Sequence, residues 1–215
     1  GDRWLNSPLA ILAAENKPKQ MSLALTLGFS LPETLLTNDS EKAIEFVSKR
    51  GAIAKPIREA LVKNDDEERV IFTSRVNEAE LLDLDSRCLA SSPVIFQEEI
   101  IKKSDVRVTV VGNKLFAVEI FSQEFDDSKV DWRMGENPNI AHKEIELPVE
   151  IHEKCIAITS SLNLIYGAID LVIDCEDKYW FLEINPNGQW AWIEHRTGLP
   201  ISKSIVDELE RISLC

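Results

Sequence analysis

The sequence has few of the residues that build disulfide frameworks or zinc sites. Its 215 residues include four cysteines, at positions 88, 155, 175 and 215, and no two of them are close along the chain. The three histidines, His142, His152 and His195, also lack the spacing of a zinc site. We therefore expect free thiols in a reducing, cytoplasmic environment rather than a secreted, disulfide-bonded domain.

Positive charge and long apolar runs are scarce as well. The chain has 24 Lys and Arg residues against 37 Asp and Glu residues, for a net charge of −13. A surface of this sign repels the phosphate backbone, which argues against nucleic acid as a partner. No apolar run approaches the length of a membrane span, and no signal peptide is visible. With 44% hydrophobic and 28% charged residues, the composition is that of a globular protein.

Hydrophobic periodicity predicts alternating helices and strands along most of the chain. Capping residues and apolar stripes favour helices, and β-branched or aromatic runs favour strands. The predicted helices cover residues 17–27, 40–49, 77–84, 149–162 and 200–214. The predicted strands cover residues 29–37, 52–56, 70–73, 93–100, 105–111 and 115–121. The apolar segment 1–14 carries no clear start signal.

Two apolar stretches near the C-terminus predict the β-hairpin around which the function is organised. Residues 168–174 and 179–184 both favour strands, and a polar, turn-like stretch separates them. If the hairpin is centred just after Glu176, Asp170 lies opposite Glu183. Their Cβ atoms would then be about 4.5–5.5 Å apart.

This pair of carboxylates predicts a cation site. At about 5 Å and an effective dielectric of about 20, two such charges repel by roughly 3 kcal/mol. A shared proton or a bound cation relieves the repulsion. Asn185 lies two residues beyond Glu183 and so faces the same side of a regular strand. Two carboxylates and an amide oxygen suit Mg²⁺, which completes its shell with water and substrate phosphates. The alternative is an exposed acid beside a strand-end acid, because a slip of one residue sends the two side chains to opposite faces.

The same segment resembles a known family. The "GAIDL" strand followed by "FLEINPNG" resembles the metal-binding end of the ATP-grasp fold. The fuller pattern "YGAIDLVI…YWFLEINPNGQWAWIE…TGLPIS" resembles the microviridin-type (graspetide) peptide macrocyclases, with the ribosomal-protein glutamate ligases as further relatives. The resemblance covers nearly the whole chain, and this segment is its most specific part.

The resemblance implies an α+β fold in which two lobes clasp ATP. The N-terminal lobe would span residues 1–95 and the C-terminal lobe residues 96–215. Asp170, Glu183 and Asn185 would hold the Mg²⁺ ions that bridge the ATP phosphates. A further N-terminal domain precedes this point in the family, so we expect the chain to be a piece of a longer protein.

Two lysines match family positions that approach the nucleotide phosphates. Lys17 lies in the "NK" pair at a predicted helix start, although Lys19 is close enough to compete for the role, and either lysine could simply be solvated. Lys55 lies in an apolar run before Pro56, which holds the preceding residue in an extended conformation. A charge-assisted phosphate contact needs such a fixed direction. The alternative for Lys55 is a lysine whose charged end extends from a strand terminus into solvent.

Three positions match the hinge between the lobes, where backbone groups bind adenine in the family. They are Gln97, Glu98 and Ile100, and backbone groups at these positions could act whatever the side chains. The sequence departs from many ATP-grasp enzymes in one respect, because no glycine occurs between Gly51 and Gly112 to form a glycine-rich phosphate lid.

Two arginines match catalytic positions of the family. Arg107, in "DVRVTVVG", matches an arginine that contacts phosphate, and a cross-strand ion pair with Glu119 is the alternative. Arg133, in "SKVDWR", matches an arginine at the place of phosphoryl transfer. A guanidinium fork suits either a phosphate or an acyl phosphate.

The predicted activity is ATP-dependent ligation with ATP and Mg²⁺. ATP would phosphorylate a carboxylate of a ribosomal precursor peptide, and an amine or hydroxyl of the same peptide would displace phosphate. Such chemistry relies on positioning and charge, which fits a site without an evident serine or cysteine nucleophile. The alternatives are a glutamate-adding or glutathione-synthase-like ligase, and a non-catalytic peptide- or nucleotide-binding module. A homodimer is compatible with the sequence, and no membrane partner is expected.

Overall fold

The computed structural model describes residues 3–57, 61–64, 67–70, 73–124, 130, 132 and 140–214. Its helices are α1 Pro8–Ala14, α2 Lys17–Thr26, α3 Ser40–Ser48, α4 Glu78–Asp83, α5 Ser86–Ala90, α6 Val149–Ser161, α7 Ala191–Thr197 and α8 Ile201–Leu214. Its strands are β1 Thr34–Thr37, β2 Ala52–Lys55, β3 Leu61–Asn64, β4 Glu67–Val70, β5 Ser74–Val76, β6 Val94–Glu98, β7 Lys102–Val111, β8 Lys114–Ile120, β9 His142–Glu144, β10 Tyr166–Asp174 and β11 Tyr179–Asn185. No described helix is both long and apolar enough to cross a membrane.

The chain divides into two compact units. The five-stranded unit comprises Gly1–Leu31, Lys102–Glu124 and Asn137–Cys215, and the four-stranded unit comprises Pro32–Ile101 and Phe125–Glu136. The lobes predicted as residues 1–95 and 96–215 stay a prediction, but these units place the first 31 residues with the C-terminal half.

The five-stranded unit is built on an antiparallel sheet in the order β11-β10-β7-β8-β9. Because side chains alternate along a strand, every second residue of β7 and β10 points to the same face. On one face, Val106, Val108, Ile169 and Leu171 are at most 1% exposed and pack in a core cluster with residues of α2 and α6. Burial of this apolar surface is the main stabilising term of the unit.

The opposite face of this sheet carries both apolar and charged residues. At one end, Val118, Tyr166 and Ala168 form a second cluster with Ile193 of α7 and Ile201 of α8. The remaining positions of this face on β7, β10 and β11 are mostly polar or charged, although β10 also carries the buried Val172. Those positions include the residues for which the sequence predicts a metal site.

The four-stranded unit has shorter strands in the order β1-β6-β2-β5, and β3 and β4 pair as a separate hairpin. Its core cluster contains Ala43 and Val47 of α3, Ala52 of β2 and Phe96 of β6. Helix α3 begins after Asp39, whose carboxylate accepts hydrogen bonds from the backbone N–H groups of Glu41 and Lys42.

Several predicted elements differ from the structure. Residues 71–72 of the predicted strand 70–73 lie outside the described residues, while Val70 ends β4 and Thr73 precedes β5. The predicted strand 29–37 is limited to Thr34–Thr37, because Gly28 ends α2 with a φ of 79° and Ser30 makes only an isolated bridge to Trp180. The apolar segment 1–14, in which no start signal was recognised, contains helix α1. The Ser7 side chain caps this helix and Pro8 occupies its first turn, where a proline is tolerated.

Candidate active site

The β10–β11 hairpin places Asp170 directly opposite Glu183, as the sequence predicts. The route to this register differs from the prediction. Next to the turn the register is shifted by one residue from the prediction, since Ile173 pairs with Tyr179. A β-bulge between Asp170 and Leu171 then restores the predicted pairing, because the extra residue lies on β11.

The bulge determines which β11 side chains face the predicted metal site. Phe181 and Ile184 both belong to the apolar core although they are three residues apart, which a regular strand does not permit. With Leu182 as the extra residue, Phe181 pairs with Leu171 and Glu183 pairs with Asp170. The strand therefore keeps its core contacts while it turns Glu183 toward the polar face.

Asp170 forms a buried ion pair with Arg107, its register partner on β7. Arg107 Nη1 donates to Asp170 Oδ1 over 2.7 Å, and the two side chains are 5% and 9% exposed. The alternative ion pair with Glu119 is not formed, since Glu119 lies opposite Val106 and accepts a hydrogen bond from Ser104 Oγ. Burial of such a pair makes each partner depend on the other.

Glu183 forms an ion pair with Lys17 at 3.3 Å between Nζ and Oε2, and both side chains are largely buried. Lys17 is the first residue of α2, which Asn16 caps by accepting a hydrogen bond from Lys19 N–H. Lys19 itself is exposed. Of the two candidate lysines, the structure thus brings Lys17 beside a predicted metal ligand, and its contact with phosphate stays a prediction.

The loop after β11 continues the site. Asn185 Oδ1 accepts a hydrogen bond from Asn187 N–H at 2.8 Å, which closes a local turn. The Tyr166 hydroxyl donates to the Gly188 carbonyl, and a Cβ atom at Gly188 would lie 2.7 Å from Arg107 Nη2. This position therefore requires glycine, and the "NPNG" segment passes against the arginine.

Asp105 is a second buried acid on the face of the sheet that carries Arg107 and Asp170, and it is not among the residues singled out from the sequence. It lies two residues before Arg107 on the same face of β7 and is 4% exposed. Lys102 Nζ donates to Asp105 at 2.8 Å, and the Ser122 hydroxyl donates to its other oxygen. Burial raises the pKa of the Asp105 carboxyl. An acid within a buried apolar strand, two positions from an arginine, was the signal that could have identified it.

In the four-stranded unit, Lys55 is held by a chain of polar side chains. Its Nζ donates to Gln97 Oε1 at 2.7 Å, and Gln97 Nε2 donates to Thr34 Oγ1 at 2.9 Å. Gln97 is 2% exposed, so the glutamine is a fixed partner. At Gln97 the sequence predicts a role for the backbone groups alone.

The other predicted hinge positions are less distinctive. Glu98 ends β6, and its N–H donates to the Glu33 carbonyl at 2.9 Å. Ile100 follows the strand and is half-buried. Their contact with adenine stays a prediction. Arg133, the second predicted catalytic arginine, lies outside the described residues.

The donor set at the end of the hairpin is compatible with magnesium. Among the residues that the structure describes, no three His, Cys, Asp or Glu side chains form a cluster that could hold a metal. An ion here would instead use the mixed oxygen set of Asp170, Glu183 and Asn185, with its other positions filled by water and phosphate, which is the usual coordination of Mg²⁺. The cations that now contact the two carboxylates, Arg107 and Lys17, are groups that also suit phosphate.

A model of the RimK-like ATP-grasp domain matches residues 14–209. The chain belongs to the RimK-like ATP-grasp family. The predicted family and the predicted α+β ATP-grasp fold are thereby confirmed.

Solved structures of this family resemble the chain closely. A RiPP-associated ATP-grasp ligase of Chryseobacterium gregarium, in complex with ADP and a leader and core peptide, is 36% identical, with a TM-score of 0.88 over 95% of this chain. The macrocyclase MdnC of Microcystis aeruginosa MRC, bound with the precursor peptide MdnA, is 30% identical, with a TM-score of 0.82 over 96% of this chain. This chain spans 62% and 64% of those two proteins.

One relative is named for glutamate ligation rather than for peptide modification. The probable alpha-L-glutamate ligase of Enterobacter sp. (strain 638) is 24% identical over 215 residues, which are 98% of this chain and 68% of that protein. The proteins similar to this chain thus include one named for peptide macrocyclisation and one named for glutamate ligation.

Proposed function

We propose that this chain forms the nucleotide-binding part of an ATP-dependent ligase that modifies a ribosomal precursor peptide. The observation that carries the proposal is the facing pair Asp170 and Glu183, each matched with a cation at the polar end of one sheet. Membership of the RimK-like ATP-grasp family supports the ATP-dependent ligase class.

The site has the composition expected for phosphoryl transfer. Asp170, Glu183 and Asn185 would hold magnesium, which when bound neutralises the phosphate charge. Lys17 and Arg107 already lie beside these oxygen ligands. In the four-stranded unit, taken by itself, Lys55 donates a hydrogen bond to Gln97 and would be a further phosphate contact. Positioning and charge stabilisation are the main contributions of a protein to this chemistry.

The proposed reaction has two steps. A carboxylate oxygen of the substrate attacks the γ-phosphorus of ATP, so that an acyl phosphate forms and ADP leaves. An amine or hydroxyl then attacks the acyl carbon, loses its proton and expels inorganic phosphate. The product is an amide or an ester, and the oxygen removed from the carboxylate leaves in the phosphate. Lys17, Lys55 and Arg107 would bind and orient the charged groups throughout.

A peptide is the substrate class that the comparisons support best. The two solved relatives at 36% and 30% identity are complexes with leader, core or precursor peptides. The net charge of −13 is compatible with a basic peptide segment. In a macrocyclase the carboxylate and the attacking group belong to the same peptide, so the product lacks one water.

Glutamate ligation is the second candidate, supported by the glutamate ligase relative at 24% identity. The two activities differ in product mass. Macrocyclisation removes one water from the peptide for each bond formed, whereas glutamate ligation adds a glutamyl residue. A non-catalytic module would bind nucleotide or peptide and give neither product.

Mass spectrometry of the reaction tests the proposal. The full-length protein that contains this chain is incubated with ATP, Mg²⁺ and the peptide encoded beside its gene, with and without added glutamate. We expect loss of one or more waters, dependent on ATP and independent of glutamate. Addition of glutamate would establish the second candidate, and an unchanged peptide under conditions in which nucleotide binds would contradict both enzymatic proposals.

A further inference from the structure

Strand β11 lies at the edge of its sheet, and a single side chain covers part of that edge. The strand pairs with β10 on one side, and on the other side Ser30 makes an isolated bridge to Trp180. On that same side, the Gln20 side chain of α2 binds both backbone groups of Ile184. Gln20 Nε2 donates to the Ile184 carbonyl at 2.8 Å, and Gln20 Oε1 accepts from the Ile184 N–H at 3.0 Å. The glutamine thus acts as a one-residue substitute for a neighbouring strand.

The polar atoms of the Gln20 side chain all have hydrogen-bond partners in this position. Gln20 is 3% exposed, and its amide nitrogen also donates to the Ala14 carbonyl at the end of α1, at 2.6 Å. Both amide hydrogens and the carbonyl oxygen therefore have backbone partners. A buried amide with every donor satisfied has one favoured orientation. The contact ties the end of α1 and the second turn of α2 to β11.

The residue held by Gln20 lies between two predicted metal ligands. Ile184 separates Glu183 from Asn185, and its own side chain is buried in the core. Restraint of the Ile184 peptide groups fixes the direction in which both neighbouring side chains leave the backbone. Lys17, one helical turn before Gln20, forms the ion pair with Glu183. The first two turns of α2 thus act on both predicted ligands. Lys17 contacts the Glu183 side chain, and Gln20 restrains the backbone between Glu183 and Asn185.

We propose that Gln20 is a positioning residue for the metal site, which sets the geometry of Glu183 and Asn185 through the Ile184 backbone. The inference rests on the proposed function. Groups that hold metal ligands in place without touching the metal commonly affect metal affinity, because a ligand that moves must be reordered on binding. A purely structural glutamine would affect the stability of the unit but would leave metal affinity intact.

The test measures metal affinity rather than activity. Mn²⁺ replaces Mg²⁺ at oxygen sites and is observed directly by electron paramagnetic resonance. The full-length protein, saturated with ADP, is titrated with Mn²⁺ in four forms: parent, Gln20→Met, Glu183→Gln and Leu162→Ala. Gln20→Met keeps the side-chain length and removes all three hydrogen bonds. Leu162→Ala is the stability control, because Leu162 is buried in the same core cluster as Ile184.

We expect Gln20→Met to weaken Mn²⁺ binding roughly 10- to 100-fold, the range for removal of a group that holds a metal ligand in place without touching the metal. Leu162→Ala should bind Mn²⁺ within about twofold of the parent while it lowers the melting temperature. If Gln20→Met does not fold, the Mn²⁺ affinity of Gln20→Glu is measured in its place. This variant keeps the acceptor for the Ile184 N–H, removes the two donated bonds, and should weaken binding in the same direction.

Two results separate the inference from the proposed function. Mn²⁺ affinity of the folded Gln20 variant within twofold of the parent, with Glu183→Gln strongly weakened, overturns the role of Gln20 and leaves the metal site intact. Unchanged Mn²⁺ affinity in Glu183→Gln overturns the metal site itself, and the inference with it. A loss in Leu162→Ala equal to that in Gln20→Met also overturns the inference, because general destabilisation then explains both.

Discussion

Two ion pairs, one from each compact unit, differ in how deeply they are buried. In the five-stranded unit, Arg107 and Asp170 form an ion pair with side chains 5% and 9% exposed. In the four-stranded unit, Arg75 and Glu99 form a forked ion pair with side chains 58% and 25% exposed. Both have good hydrogen-bond geometry, so the difference lies in access to solvent.

This difference indicates where the fold depends on its site residues. A buried charge has no solvent to replace a lost partner, whereas an exposed one is readily hydrated. Asp170, one of the predicted metal ligands, therefore belongs to an ion pair that the five-stranded unit needs for its own stability. In the four-stranded unit, Lys55 donates a hydrogen bond to the buried Gln97, and we expect removal of either residue to affect ligand binding more than folding.

The largest expected effect is on stability, from loss of the buried ion pair. Arg107→Met should destabilise the protein by about 3–5 kcal/mol, because the buried Asp170 carboxylate loses the charge-assisted hydrogen bond from Arg107. Arg75→Met is the matched change in the other unit and should cost less than about 1 kcal/mol. Urea denaturation followed by circular dichroism measures both. Similar losses for the two variants would show that burial does not distinguish the pairs.

The next effect is on catalysis. Glu183→Gln is nearly isosteric and should keep the fold, but Mg²⁺-dependent ATP turnover should fall at least about 100-fold, since a direct ligand should cost no less than an outer-shell partner. Glu176→Gln, in the exposed turn of the same hairpin, is the control and should retain turnover. An assay of released phosphate measures both variants. Full activity of Glu183→Gln would make the carboxylate pair purely structural.

Lys55 should contribute to nucleotide affinity. Its replacement by alanine should weaken binding of a non-hydrolysable ATP analogue by about 1.5–3 kcal/mol, the value for a hydrogen bond to a charged group. Lys49→Ala serves as the control, because Lys49 pairs with Glu45 at the exposed end of α3 in the same unit. Calorimetric titration compares the two. Affinity of Lys55→Ala within twofold of the parent contradicts the assignment.

A smaller effect is expected when the partner of Lys55 is changed. Gln97→Met removes the hydrogen bonds to Lys55 and Thr34 but keeps an apolar side chain of similar length. The free energy of nucleotide binding should become less favourable by about 0.5–1.5 kcal/mol, because Lys55 Nζ then loses the hydrogen bond to Gln97 that helps to fix its direction. If Gln97 affects nucleotide affinity only through Lys55, combining Gln97→Met with Lys55→Ala should add nothing to the loss from Lys55→Ala, and full additivity would contradict this coupling.

The sequence was most informative where periodicity and charge coincide. The pairing of Asp170 with Glu183 follows from two apolar strands and a polar turn. The bulge at Leu182 could not be predicted, because an extra residue on one strand leaves no mark in a short apolar run. A shifted register next to the turn and a bulge compensate here, so the predicted neighbours are correct although the predicted regular register is not.

Contacts between side chains that lie far apart in the sequence could not be predicted from the sequence. The Arg107–Asp170 pair depends on the order of strands in the sheet, which local patterns do not fix. Gln20 looks like an ordinary helix residue, and its role arises only because α2 lies beside the free edge of β11. Helix α1 was missed because its signal is a single serine cap before a proline.

The most direct test of the account is the metal dependence of nucleotide binding. ADP is titrated calorimetrically into the parent protein, Glu183→Gln and Glu176→Gln, each in Mg²⁺ and in a chelator. We predict that Mg²⁺ tightens ADP binding at least about 10-fold in the parent and in Glu176→Gln, and that this gain disappears in Glu183→Gln. An equal gain in all three proteins would contradict the placement of the metal site at the Asp170–Glu183 pair.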